Sequence, residues 1–304
     1  MKTVGVVGIG DMGSGLAKNL IKAGFTVRGH DLKPDRMADF ANMGGIACAS
    51  SAEVAQGAEA VFIMVMNGGE VNDVVFGRDG PPANSNGGLI STLDKGSAII
   101  ISATIKPSEI RQLDSDLSDS GLLLIDTPVS GGRPGAHGGT LTMMAAGSDE
   151  ALAYASPAME AVSGTIHRVG EQIGMGQTVK ACLQSLIGSI FGGAFEATAL
   201  AAKAGVPGQV LHDVFSTSAA GCGITNAAIS TVMDRKFEDT GSHINTMHKD
   251  LTISLDMAME LGVPLFTAST AMQLFQAGRT RHPDGDNQVV ARISEEIVGV
   301  GLKK

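Results

Sequence analysis

The sequence predicts an α/β domain built on a parallel sheet, followed by an all-α domain joined to it through a long helix. Three observations carry this. Short apolar runs alternate with amphipathic segments through the first half of the chain, the pattern of strands and crossover helices laid side by side. The first run, Thr3 to Val7, passes straight into a glycine-rich turn, Gly8-Ile9-Gly10-Asp11-Met12-Gly13. After about Val169 the strand signal ends and helical stretches follow one another. A length of 304 residues suits about two domains, expected at 1–170 and 171–304.

The expected strands are Thr3–Val7, Thr26–His30, Ala60–Val65, Ser97–Ile101, Leu122–Ile125 and Leu141–Ala145. Helices are expected over Met12–Ala23, Asp35–Met43, Val71–Phe76 and Ser108–Ser118. Such alternation implies right-handed crossovers between parallel neighbours. Leu141–Ala145 lacks a clear helix before it and is expected to run antiparallel. The loop from Gly77 to Gly96, rich in Gly, Pro, Asn and Ser, is long for a compact domain, and such loops are usually functional or mobile. Gln177 to Ala204 reads as one helix of roughly 40 Å, ended by Gly205 and Pro207. Further helices are expected over Pro207–Thr217, Asn226–Met233, Ile244–Leu261 and Val289–Val298.

Bulk properties narrow the function classes. With 43% apolar and 17% charged residues the chain can bury a sizeable core. A formal net charge of -9 argues against a nucleic-acid or anionic-membrane partner, which needs a basic stripe. Cys48, Cys182 and Cys222 form no CxxC pair, which suits a reducing compartment. Lys2 leads directly into the first strand, so no signal peptide is expected and the cytoplasm is the expected location. The apolar stretch Leu183–Ala202 is interrupted by Gln184, Ser185, Ser189, Glu196 and Thr198 and reads as a buried helix rather than a membrane span.

The glycine turn follows a strand and opens a helix, which makes it a dinucleotide fingerprint and the domain Rossmann-type. Gly8 permits the tight turn, Gly10 lets backbone approach a pyrophosphate, and Gly13 lets the helix pack against the sheet. The helix N-terminus supplies N–H groups to the phosphates. Asp31 ends the second strand and suits the adenosine ribose hydroxyls, which it would hold while repelling a 2′-phosphate. Leu32 follows where an NADP site often offers Arg; Lys33 and Arg28 are nearby and soften the discrimination. NAD is the expected cofactor, with NADP possible. The plainer reading of Asp31 is a turn-initiating residue before Lys33-Pro34.

Two later stretches suit chemistry. Asp126-Thr127-Pro128-Val129-Ser130-Gly131-Gly132-Arg133-Pro134-Gly135-Ala136 follows an apolar strand, and strand ends of an open α/β sheet are where ligands bind. Consecutive glycines and the Ser130 hydroxyl fit a carboxylate; a plain glycine-rich turn fits equally. Gly174-Met175-Gly176-Gln177-Thr178-Val179-Lys180 opens the long helix. Lys180 and Gln184 lie one turn apart on a face that also carries Ile187. A desolvated lysine there would have its pKa lowered toward general acid/base work; the alternative is a surface lysine that snorkels to water. The seven histidines show no metal-ligand spacing, and no metal is expected. His137 and His248 read as structural or surface residues.

Taken together, Gly8-Ile9-Gly10-Asp11-Met12-Gly13, Pro128-Val129-Ser130-Gly131-Gly132, Gly174-Met175-Gly176-Gln177 with Lys180, and Lys249-Asp250 resemble the β-hydroxyacid dehydrogenase family over nearly the whole chain. The resemblance implies that Lys180 is the catalytic acid/base and that Ser130, Gly131 and Gly132 hold the substrate carboxylate. It implies that Val65, Met66 and Asn67 line the adenosine side of the cofactor, and that Thr104 and Lys249 lie near the nicotinamide. Asp250 would orient Lys249 or serve structure alone. Two departures stand out. Ile101-Ser102-Ala103-Thr104 replaces the Asp-x-Ser-Thr common in the family, and Leu183-Gln184 replaces an Asn-Asn pair. Gln184 can still bind a substrate hydroxyl; Leu183 cannot.

The expected activity is NAD-dependent oxidation of a small β-hydroxy acid, 3-hydroxyisobutyrate- or threonate-like. Alternatives are an NADPH-dependent reductase of small aldehyde acids such as glyoxylate, succinic semialdehyde or tartronate semialdehyde, an imine reductase, and a catalytically silent cofactor-binding protein. Relatives of the imine-reductase kind tend to replace the lysine, and a silent protein has no need to keep it. The apolar helical half suggests a homodimer or homotetramer.

Overall fold

The structure is a computed structural model describing residues 1–77 and 87–304. The chain forms two compact units, residues 1–180 and 181–304. The first begins with β1 (Thr3–Val7), α1 (Asp11–Lys22), β2 (Thr26–His30), α2 (Pro34–Asn42), β3 (Ile46–Ala47), α3 (Ser51–Ala55), β4 (Ala60–Ile63) and α4 (Gly68–Phe76). A single 3-10 turn (Leu89–Ser91) leads to β5 (Ala98–Ile101), α5 (Pro107–Leu117) and β6 (Leu123–Asp126). These six strands are parallel in the order β3-β2-β1-β4-β5-β6, the Rossmann arrangement expected. β1 is the switch point, where the order reverses and ligands bind at the strands' carboxyl ends.

Side chains sort to the two faces with a period of two. Val4, Val6, Phe62 and Ile100 join one core, with Leu16, Leu20 and Phe40 of the helices over that face. Val7, Val61, Ile63, Ile99 and Ile101 join the other, with Val71, Val75, Ile110 and Leu113. Helices therefore cover both faces, as a parallel sheet requires.

The sheet then departs from a purely parallel plan. β7 (Val129–Ser130), α6 (Gly132–Gly138), β8 (Leu141–Ala146), α7 (Asp149–Val162) and β9 (Ser163–Gly170) complete it. β8 runs antiparallel to β6 and β7, as expected, while β9 is parallel to β8. Most of this segment lies beyond what periodicity predicts. In α7, Ser148 accepts the Ala151 N–H as an N-cap, but Pro157 interrupts the pattern within the helix. β9 is largely half-buried or exposed and carries no clean alternation. The glycine-rich run after Ser130 is more ordered than the plain turn that is one reading of it: Ser130 sits in a strand and Gly132 opens a short helix. Of the Gly77–Gly96 loop, residues 78–86 lie outside the described residues.

Helix α8 (Met175–Lys203) begins in the first unit and continues into the second. It is long and apolar enough to cross a membrane by length and composition, with 44% of its most apolar window buried. The second unit adds α9 (Gly208–Thr217), α10 (Gly223–Met233), α11 (Ile244–Leu261), α12 (Phe266–Arg281) and α13 (Val289–Val298). Phe191, Phe195 and Phe275 anchor its core with Ile229, Val232, Leu251 and Val290. Phe191 stacks on Phe195 at 5.5 Å between centroids and meets Phe275 edge-on at 6.3 Å. Helix α12 escapes the sequence pattern because its buried face is built mainly from small residues, Ala268, Ala271 and Gly278 beside Phe275, while Phe266 is exposed.

Candidate active site

The glycine turn sits at the carboxyl end of β1. Gly8 has φ of 89°, a conformation that favours glycine, and a Cβ there would strike the Met64 carbonyl. A Cβ on Gly13 would collide with the carbonyl oxygen of Gly8, so α1 can press on the turn only through glycine. Gly10 is the N-cap of α1 and gives no side-chain cap to its first N–H groups. The start of α1 thus carries no side-chain cap, the condition in which a helix N-terminus suits an anion such as a dinucleotide pyrophosphate. Asp11 and Met12 open the helix, and the Asp11 carbonyl meets His137 Nε2 at 3.1 Å, a structural contact for that histidine.

Asp31 follows β2, its side chain only 7% exposed. Its Oδ2 accepts from Ile9 N at 2.8 Å and lies 3.2 Å from Arg36 Nη1. Its Oδ1 accepts from Lys33 N at 2.9 Å. The carboxylate therefore does make the turn before Lys33-Pro34, and it also stands against the fingerprint. Arg28 turns away, donating to the Glu53 carbonyl at 2.7 and 3.2 Å. The cation beside Asp31 is Arg36, unweighed from sequence because it lies a turn into α2. Its only sequence signal is a basic residue on the helix that follows the acidic one.

Val65, Met66 and Asn67 follow β4. Met66 is half exposed, and Asn67 caps α4 by accepting the Glu70 N–H at 2.9 Å. Thr104 follows β5. Ser130 ends β7, paired with Thr142 of β8, and Gly131 and Gly132 start α6. Glycine cradle, Asp31, Val65–Asn67 and Thr104 follow the parallel strands β1, β2, β4 and β5 in turn, at one edge of the sheet.

Lys180 is 6% exposed, on the second turn of α8. The N-terminus of that helix is held by Asp126, which ends β6 and is fully buried. Asp126 Oδ2 accepts from Gly174 N at 2.9 Å and Gln177 N at 3.2 Å. Burial pushes the Asp126 carboxyl up to about 6, against the pull of those N–H groups. Sequence reasoning assigns Asp126 no role; an acidic residue closing the apolar run Leu122–Ile125 is the signal that marks it.

In the second unit, Gln184 Nε2 donates to Asp250 Oδ2 at 2.5 Å, and Lys249 Nζ lies 2.9 Å from Asp250 Oδ1. Asp250 thus holds both the lysine and the glutamine named from sequence. Ser254 Oγ ties the Asp250 carbonyl of α11 to the Ala181 carbonyl of α8. His248 bonds Gln276 Oε1 at 2.7 Å and serves the α11–α12 contact.

Comparison with known proteins agrees with this fold. Residues 3–170 match the family described as the NAD binding domain of 6-phosphogluconate dehydrogenase. Residues 174–294 match the family described as NAD-binding of NADP-dependent 3-hydroxyisobutyrate dehydrogenase. The L-threonate dehydrogenase of Cupriavidus necator is 34% identical over 293 residues, covering 96% of each chain. That of Escherichia coli K12 is 33% identical over 302 residues, covering 99% of this chain and 97% of the relative. The crystal structure of 3-hydroxyisobutyrate dehydrogenase from Salmonella typhimurium superposes with a TM-score of 0.87 at 33% identity, covering 96% of this chain and all of the other. The chain is an oxidoreductase with a nicotinamide-dinucleotide fold, and it belongs to the β-hydroxyacid dehydrogenase family.

Proposed function

We propose that the protein oxidises a small β-hydroxy acid bearing a further hydroxyl, an L-threonate-like substrate, with NAD. The observation that carries the reading is Lys180, buried on a helix whose start is bonded to the carboxyl end of a dinucleotide-binding sheet. Gly8, Gly10, Gly13, Ile9, Asp11 and Met12 would hold the pyrophosphate, Asp31 the adenosine ribose, and Val65, Met66 and Asn67 the adenosine side. Thr104 and Lys249 would lie at the nicotinamide end. NAD supplies the hydride acceptor. Neutral Lys180 takes the proton from the substrate hydroxyl at Nζ as the carbonyl forms, and in reverse the ammonium returns it. Ser130 Oγ and the Gly131 and Gly132 N–H groups anchor the substrate carboxylate.

The further hydroxyl is argued from Gln184. Gln184 Nε2 donates to Asp250 Oδ2, and its carbonyl oxygen Oε1 would be the end that accepts from a substrate hydroxyl. That oxygen recognises a donor such as a hydroxyl, and a methyl group in its place would leave it unpaired. Lys180→Met in the whole protein should retain NADH binding while turnover falls by about 10²–10⁴-fold. Near wild-type turnover would defeat the acid/base assignment.

A second reading draws on Arg36. The guanidinium beside Asp31 offsets its charge and offers a partner for a 2′-phosphate, which favours NADPH-linked reduction of small aldehyde acids. Initial rates with NAD and NADP at equal concentration separate the two. The charge of -9 and the three unpaired cysteines support a cytoplasmic enzyme without a nucleic-acid partner. The buried polar side chains of α8, Gln184 and Thr198 among them, support a protein-core helix. The second unit exposes Leu200, Met259, Leu261 and Phe266, and a groove between α8 and α12 is lined by Gly192, Gly193, Phe266 and Leu274. Exposed apolar surface of this kind supports a homodimer or homotetramer.

A further inference from the structure

A general base must be aimed, and the first turn of α8 is held by the end of β6, by the segment after β5 and against β8. Asp126, at the end of β6, takes two N–H groups at the helix start on one oxygen. Gln177, 1% exposed, accepts Ile105 N at 3.0 Å and donates to the Ala103 carbonyl at 2.9 Å, both in the segment after β5. A Cβ on Gly176 would lie 2.6 Å from the Met144 carbonyl of β8 and 2.7 Å from the Asp126 carbonyl, so the turn rests on the sheet at backbone distance. Gln177 and Lys180 are three residues apart, on neighbouring positions of one face. A one-residue slip of this helix would turn Lys180 by about 100° and move it about 1.5 Å.

We infer that Asp126, acting with Gln177, is a positioning residue that fixes where the Lys180 amine points. This rests on the reading of Lys180 as the acid/base. A helix cap alone is served by a neutral Ser, Thr or Asn. What the two N–H groups need is an acceptor, so the role should survive in Asp126→Asn and be lost in Asp126→Ala.

The test uses the full chain in two assays. The first is the pH dependence of Lys180 acetylation by acetic anhydride, read by peptide mass spectrometry, which needs no substrate. The second is kcat and KM with NAD and L-threonate. Asp126→Asn should reproduce the wild-type labelling profile. Asp126→Ala and Gln177→Leu should move its midpoint and lower kcat by about 10- to 100-fold, the scale for an angstrom of misplacement, with the KM for NAD unchanged. A wild-type labelling profile in Asp126→Ala, or an asparagine variant displaced as far as the alanine one, overturns the inference. If Asp126→Ala does not fold, Gln177→Leu decides, and an unmoved profile there overturns it. Full turnover in Lys180→Met would instead remove the acid/base reading, while the labelling profiles still judge the positioning.

Discussion

Asp126 should make the protein lose stability as the pH rises through about 6, an effect that Asp126→Asn removes. Burial raises its pKa from 3.8 to about 6 in the folded state. The folded protein therefore holds the proton more tightly than the unfolded chain. The associated stability is full below the unfolded value and lost as pH rises through the folded one. A difference of about two pH units corresponds to roughly 3 kcal/mol at most. In a unit of this size that is about 6–12 °C in melting temperature. Scanning calorimetry of both proteins from pH 4 to pH 8 measures it. The midpoint of the wild type relative to Asp126→Asn should fall across the range by an amount of that order. A difference that stays constant with pH, or moves the other way, would refute the argument that desolvation outweighs the N–H groups of Gly174 and Gln177.

Three further outcomes follow from the site. Gly13→Ala places a methyl against the Gly8 carbonyl, so NADH affinity by fluorescence titration should drop at least about tenfold, the cost of 1.4 kcal/mol; wild-type affinity would show that the turn relaxes. Gln184→Leu should lower kcat/KM for L-threonate by about 10- to 100-fold, the loss of one buried hydrogen bond, while leaving 3-hydroxyisobutyrate much less affected. Equal losses on both acids would remove Gln184 from hydroxyl recognition. Phe266, 81% exposed at the mouth of the α8–α12 groove, should hold an oligomer together; Phe266→Asp should lower the mass seen by light scattering, and an unchanged mass would move the interface elsewhere.

What the sequence determined by itself was whatever is written in short-range patterns. The parallel strands alternate apolar residues between two faces, Gly8 takes a positive φ that favours glycine, and Gly13 answers to the Gly8 carbonyl five residues before it. The long helix and its lysine were legible for the same reason, as was the antiparallel turn of β8. Asp31 was legible as the acidic residue ending β2, but not as the partner of Arg36. Tertiary structure alone decided which groups meet across long stretches of chain. Asp126 reaches Gly174 and Gln177 some fifty residues on (separations of 48 and 51), and Asp250 reaches Gln184 across 66. No local pattern encodes such pairs, because a buried carboxylate is tolerable only where folding brings its donors to it. Helix α7 with its internal proline, the exposed strand β9 and the polar helix α12 belong with them. Their packing partners, rather than their own periodicity, hold them in place.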